Sequence, residues 1–172
     1  MQLTSLRELS HYNRWQNRKL FALLTDVDDM QRQANRGLFF ESIHGTLNHL
    51  LLADLIWMSR FTQTPPTFQV TSLAQILHED FNDLQQARSE LDNNIIQYIQ
   101  QLDETSLQGD LTYTPSTSTN KEARSLPLRR CLVHFFNHQT HHRGQISAVV
   151  NQLGLDIGIT DFAFMPKEEF QL

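Results

Sequence analysis

From Cys131 to Gln145 the chain reads Cys-Leu-Val-His-Phe-Phe-Asn-His-Gln-Thr-His-His-Arg-Gly-Gln, and four of its eight histidines fall there. His134, His138 and His142 recur every fourth residue, which on a helix places them along one slowly drifting stripe. Two imidazoles one turn apart can grip a single divalent ion from one side, the logic of His-x-x-x-His metal pairs. All three cannot share it, because His134 and His142 stand about 12 Å apart along a helix axis. The stripe therefore offers a pair, and any further ligand must come from another element. Cys131, roughly 10 Å below His138 on the same stripe, reads as a packing cysteine rather than a ligand.

A second source of imidazole lies in the apolar run from Ile43 to Met58, which holds His44 and His49. Five residues apart, they point about 140° away from each other on a helix, so one at most faces a given site. Periodicity does not choose between them, because this run is apolar nearly all round. His78, His134 and His141 read as surface or packing histidines. Asn137, Asp54 and Gln145 are candidates to orient ligand imidazoles through the free ring nitrogen. Arg143 reads as a partner for a carboxylate, a structural one first and a substrate's second. The acidic cluster Asp26, Asp28 and Asp29 lacks the alternating pattern of a calcium loop and reads as a solvated turn.

Four amphipathic segments can carry these residues, over about 2–25, 40–61, 72–102 and 126–153. Leu3, Leu6, Leu9, Tyr12, Trp15, Leu20, Phe21 and Leu24 mark the first, with polar positions between Arg7 and Lys19 turned outward. Ser72 is placed to cap the third, whose inner stripe runs Leu73, Ile76, Leu77, Phe81, Leu84, Leu91, Ile95 and Ile99, with amides and acids outside. Pro127 falls in the first turn of the fourth and Gly154 just beyond its end. The linkers read as a loop over 31–37, a crossover containing Pro65 and Pro66, and a Ser/Thr-rich stretch over 103–124. A short ribbon at Leu111–Tyr113 is the only extended signal. Trp15, Trp57 and the Phe-rich end read as core, with Phe162 and Phe164 placed to close one end of a pocket. The expected architecture is all-α, one four-helix-bundle domain over 1–172 with long crossover connections and a short C-terminal tail.

Composition narrows the function classes. A formal net charge of −5 with no Lys/Arg block argues against a nucleic-acid surface. No run approaches the roughly 20 apolar residues of a membrane span, and no signal-type leader opens the chain. A lone cysteine cannot form an internal disulfide, which suits a reducing compartment, so a cytoplasmic location is expected.

Tyr12-Asn-Arg-Trp15-Gln-Asn17, Ile43-His44-Gly-Thr-Leu-Asn-His49-Leu-Leu-Leu-Ala-Asp54 and Asn137-His138-Gln-Thr-His-His142-Arg143-Gly144-Gln145 together resemble the DinB/YfiT-like family of metal-dependent four-helix-bundle proteins. The resemblance covers nearly the whole chain, and its last block is the most specific. It implies a divalent metal held by one histidine of the second helix and the pair on the fourth, namely His49, His138 and His142. It also implies thiol-dependent transfer or isomerisation of an unknown small-molecule substrate, with a low-molecular-weight thiol as cosubstrate, and a homodimer. Imidazole ligands suit nickel or zinc first, with iron admitted. No acidic residue sits beside His138 or His142 as in the His-Glu-x-x-His hydrolases, which ranks a metal-dependent hydrolase second. A non-catalytic bundle braced by a structural metal ranks third.

Overall fold

The computed structural model describes residues 3–115 and 122–170. Four long helices carry it: α1 (Leu3–Thr25), α3 (Ile43–Phe61), α4 (Phe81–Gln101) and α5 (Leu128–Gln152), with a one-turn-plus α2 (Asp29–Gln33) between the first two. In cross-section α1 lies against α4 and α5, and α3 against the same two. The chain therefore passes diagonally across the bundle between α1 and α3 and again between α4 and α5, whereas the Pro65-Pro66 linker, expected as a crossover, joins the neighbouring α3 and α4. The core between the helices is built from Leu6, Leu20, Leu24, Ile43, Leu51, Leu84, Ile95, Ile99, Leu132, Phe135 and Ile146, every one of them essentially solvent-free.

The helix ends follow from capping chemistry. Ser42 accepts from the Gly45 N–H at 2.9 Å, and Asp80 from those of Asn82 and Asp83 at 2.8 and 3.0 Å. At the far end of α5, Gly154 takes a left-handed φ of 76°. Its N–H bonds to the Asn151 carbonyl and that of Leu155 to Val150, a Schellman closure. Gly154 ends the helix as its position predicts.

Five expectations are corrected. The second long helix starts at Ile43, not Phe40. The third starts at Phe81 rather than Ser72, and Leu73 and Ile76 are exposed. The carboxamide of Asn48 accounts for this: its Oδ1 accepts from the Leu77 and His78 N–H groups at 2.9 and 3.0 Å, and its Nδ2 donates to the His78 carbonyl at 3.1 Å. Backbone groups held by a buried side chain are not free to enter a helix. Residues 124–127 form β2, paired antiparallel with β1 (Asp110–Tyr113), so α5 begins at Leu128. The ribbon at 111–113 is thus real, while Ser116–Asn120 of its linker lie outside the described residues. The expected 31–37 loop contains the end of α2, which Asp28 caps through the Gln31 N–H at 2.7 Å. Finally, Asn13, Gln16 and Asn17 of α1 and Asp92 of α4, read as outward polar positions, are buried, and so is Arg88.

Those residues form a polar layer across the middle of the bundle. Arg88 Nη1 donates to Asp54 Oδ2 at 2.6 Å and its Nη2 lies 2.9 Å from Asp92 Oδ1. Asn13 and Asn17 donate to Asp92 at 3.0–3.1 Å through their amide nitrogens, while their amide oxygens accept from Arg143. Two asparagines thus stand between an anion and a cation, each oriented by both. The layer joins all four long helices. Among the described residues no helix is long and apolar enough to cross a membrane.

Candidate metal centre

α3 and α5 lie side by side, and their facing surfaces bring His49, His138 and His142 together. One nitrogen from each lies within 4.8 Å of the others. Their rings meet at 5.2 Å (His49–His138), 4.7 Å (His49–His142) and 4.5 Å (His138–His142) between centroids. Spacing puts the last two on one face of α5, and α3 supplies the third from across the interface. His44, the alternative on α3, turns away and bonds through Nε2 to the His78 carbonyl at 2.9 Å.

The outer nitrogens decide what the inner ones can do. His49 Nδ1 lies 2.9 Å from the Leu73 carbonyl and His142 Nδ1 2.8 Å from Gln145 Oε1. Carbonyl oxygens only accept, so each Nδ1 must carry the proton and each Nε2 presents a lone pair inward. His49 Nε2 and His138 Nε2 then stand 3.3 Å apart. Two nitrogens bound to one tetrahedral ion at about 2.0–2.1 Å would stand roughly 3.3–3.4 Å apart, so the donor set and its spacing fit a divalent metal.

Electrostatics point the same way. Burial holds His49 down at about 4, against the opposing pull of its Leu73 hydrogen bond. Burial first, and then the neighbouring His142 and His49, hold His138 down at about 3. His142 is lowered too, mainly by burial. All three are neutral at physiological pH, the form that ligates. The cluster holds no carboxylate, so an ion would keep its full positive charge.

The surroundings fix the rings further. Phe40 stacks on His49 at 3.7 Å between centroids with 16° between planes. The stack requires a sharp reversal before α3, where Glu41 has φ 65° and the Phe40 carbonyl crosses Gly45. A Cβ on Gly45 would lie 2.3 Å from that oxygen, so only glycine leaves room. At the outer edge His134 is exposed and its ring lies between those of Trp57 and His138, at 5.2 and 5.8 Å.

Of the candidate orienting residues, Gln145 does contact an imidazole of the cluster, that of His142. Asn137 points to solvent, and Asp54 is held by Arg88 in the polar layer. Arg143 is structural, but its partners are the amide oxygens of Asn13, Asn17 and Gln139 rather than a carboxylate. Cys131 is buried, as a packing residue should be. Phe162 packs on Tyr12, 5.1 Å between centroids, and Phe164 is two-thirds exposed, so neither closes the histidine site. The Leu73 carbonyl and Phe40 were not legible as site residues. The first is a backbone atom 24 positions away, and the second precedes the helix that it serves.

A four-helix bundle carrying a three-histidine cluster between its second and fourth long helices is the class that fold and site define. The DinB family model matches residues 1–170, and the chain belongs to that family. It is 28% identical over 170 residues to Protein DinB of Bacillus subtilis (strain 168), covering 94% of this chain and 95% of that one.

Proposed function

We propose that His49, His138 and His142 bind one divalent ion, nickel or zinc in the first place, and that the protein is a metal-dependent enzyme of thiol-dependent S-transfer or isomerisation. One observation carries the reading: two buried Nε2 atoms face each other at 3.3 Å, and the Nδ1 proton of His49 is committed to a carbonyl. Burial disfavours charging either ring, so what joins the two nitrogens is the Nε2–H of a neutral His138, whose Nδ1 has no partner, or a cation in its place, and the third imidazole nitrogen within 4.8 Å favours the cation.

A divalent ion held by three neutral imidazoles keeps coordination positions open and can lower a thiol's pKa toward neutrality. The protein's own residues prepare that site. Leu73 and Gln145 fix the tautomers of His49 and His142, Phe40 shields one face of His49 from water, and Gly45 lets Phe40 reach it. A thiol substrate brings its own nucleophile, so the chemistry demands no general base from the chain. A hydrolase would demand one, and no carboxylate joins the cluster. The family resemblance supports thiols as the nucleophile class and a homodimer, and the lone cysteine suits a cytoplasmic setting.

The test is metal analysis by inductively coupled plasma mass spectrometry of protein purified without a histidine tag, in the parent and in His49→Ala, His138→Ala, His142→Ala and His44→Ala. Metal should fall sharply in the first three variants and persist in the fourth. Unchanged content in the first three sinks the site. If the parent binds metal but shows no metal-dependent turnover across electrophile and low-molecular-weight thiol pairs, the site stands and the transferase reading goes.

A further inference from the structure

Thr140 and Gly144 lie two residues out of step with His138 and His142, about 200° round the helix, and Ser147, five beyond His142, lies about 140° round it, so all three face away from the histidine site toward α1. There a cavity of about 120 Å³ sits between α1, α5 and the C-terminal segment at Ile157 and Thr160. The tail is fastened over it by the Tyr12 hydroxyl, which donates to the Thr160 carbonyl at 2.6 Å.

Two donors in its walls are under-used. Gln16, only 2% exposed, has no hydrogen-bond partner for its buried Nε2. A buried amide proton left without an acceptor is costly and offers a ready donor to anything that enters the cavity. Arg143, 7% exposed, turns Nη1 toward the asparagines of the polar layer. Its Nη2, with two protons to give, reaches Thr140 Oγ1 at a long 3.4 Å, and the Tyr12 side chain is the guanidinium's other neighbour on this wall. Among the described residues, no carboxylate lies within 4.0 Å of this guanidinium. Gly144 leaves the wall open, since an added Cβ would meet nothing within 4 Å.

We propose that this cavity binds a small monocarboxylate, its oxygens taking the free Arg143 Nη2 and Gln16 Nε2 protons and its carbon end lying against Tyr12 and Ile157. Charge selects this class over phosphate. One guanidinium already shared with the polar layer can offset a single negative charge, and burying a second uncompensated one is prohibitive. Size agrees, because the cavity holds several water-sized volumes and no more.

The experiment is isothermal titration calorimetry of sodium acetate into the full-length protein, metal-loaded and chelated, at fixed ionic strength, with inorganic phosphate and chloride as comparators. Saturable acetate binding of equal affinity in both metal states, with phosphate weaker, is the expected result. Gln16→Leu should weaken it about tenfold or more, the worth of a buried hydrogen bond to a charged group. Gly144→Leu, which fills open space on a helix, should abolish it while metal content and melting temperature hold. If Gln16→Leu does not fold, Gly144→Leu decides alone. Acetate heat that vanishes on chelation places the anion on the metal and overturns the proposal. So do binding that survives Gly144→Leu, phosphate tighter than acetate, and no saturable heat at all.

Discussion

Two polar regions share the interior of this bundle, and they are built on opposite rules. In the layer formed by Asp54, Arg88, Asp92, Asn13, Asn17 and Arg143, formal charges are buried and each is answered by an opposite charge or an oriented amide. In the histidine cluster no group carries a charge, and the inward atoms have no partner except each other. The layer draws on all four long helices, the cluster on two. The layer answers its charges from within the protein, whereas the cluster turns three neutral nitrogens toward one point. The layer spends its polarity on holding helices in register, and the cluster withholds it for something that is not protein. The difference separates a structural polar core from a binding site without reference to any relative.

Breaking the layer should give the largest effect. Removing Arg88 leaves two carboxylates in the core with no direct cation, and severing a buried ion pair in this way typically costs about 3–5 kcal/mol. Arg88→Ala should lower stability by that order in urea denaturation of the chelated protein, while any folded fraction keeps its metal. A loss below about 1 kcal/mol, the range of an exposed ion pair, would mean that the layer is wet and the contrast false.

Next comes a change that should touch the cluster alone. Gln145 is half-exposed on α5, and its side chain makes the 2.8 Å contact that fixes the His142 tautomer. Loss of such an outer partner typically weakens metal binding by about 10–100-fold. Gln145→Ala should do so in competition titrations with a chromophoric chelator, and urea unfolding of the chelated protein should shift little. Equal losses in both would make Gln145 a packing residue. Arg88 and Gln145 are thus a crossed pair, one acting on folding and the other on the ion.

How much of this was legible beforehand differed by region for a physical reason. His138 and His142 were readable because a helical period of 3.6 puts residues four apart on one face, whatever the rest of the chain does. The choice of His49 over His44 was not. α3 is buried on nearly all sides, and only the orientation of α5 and of the 71–80 segment tells which histidine meets which neighbour. That same segment was misread as helix because Leu73, Ile76 and Leu77 keep the helical period. Capture by Asn48 is a contact across some 29 positions that no local window contains. The polar layer escaped for a related reason: Asn13 with Asn17, and Arg88 with Asp92, are pairs four apart that look like any solvated face until the other helix is seen to carry the complementary pair.

The smallest change expected near neutrality is that of pH, and it separates the two regions most finely. The cluster's imidazoles have folded values below the ordinary 6.5, about 4 for His49 and about 3 for His138, chiefly because they are buried. An unfolded chain therefore binds more protons than the folded one between 6.5 and those values, so stability must fall as pH falls through that window and be complete above it. From pH 8 down to 6.5 the chelated protein should show no change that these groups explain, and below 6.5 its urea midpoint should decline progressively. Metal affinity should run flat over a wider range, because protons compete with the ion only as pH nears the folded values, not the free imidazole value. A histidine set with ordinary basicity would instead begin to lose metal just below pH 7. His138→Phe makes the measurement specific: removing the most depressed group should shallow the decline between pH 6.5 and 4. If the decline is as steep in His138→Phe as in the parent, the protons taken up on acid unfolding belong elsewhere, and the neutral, unpartnered character assigned to the cluster does not hold.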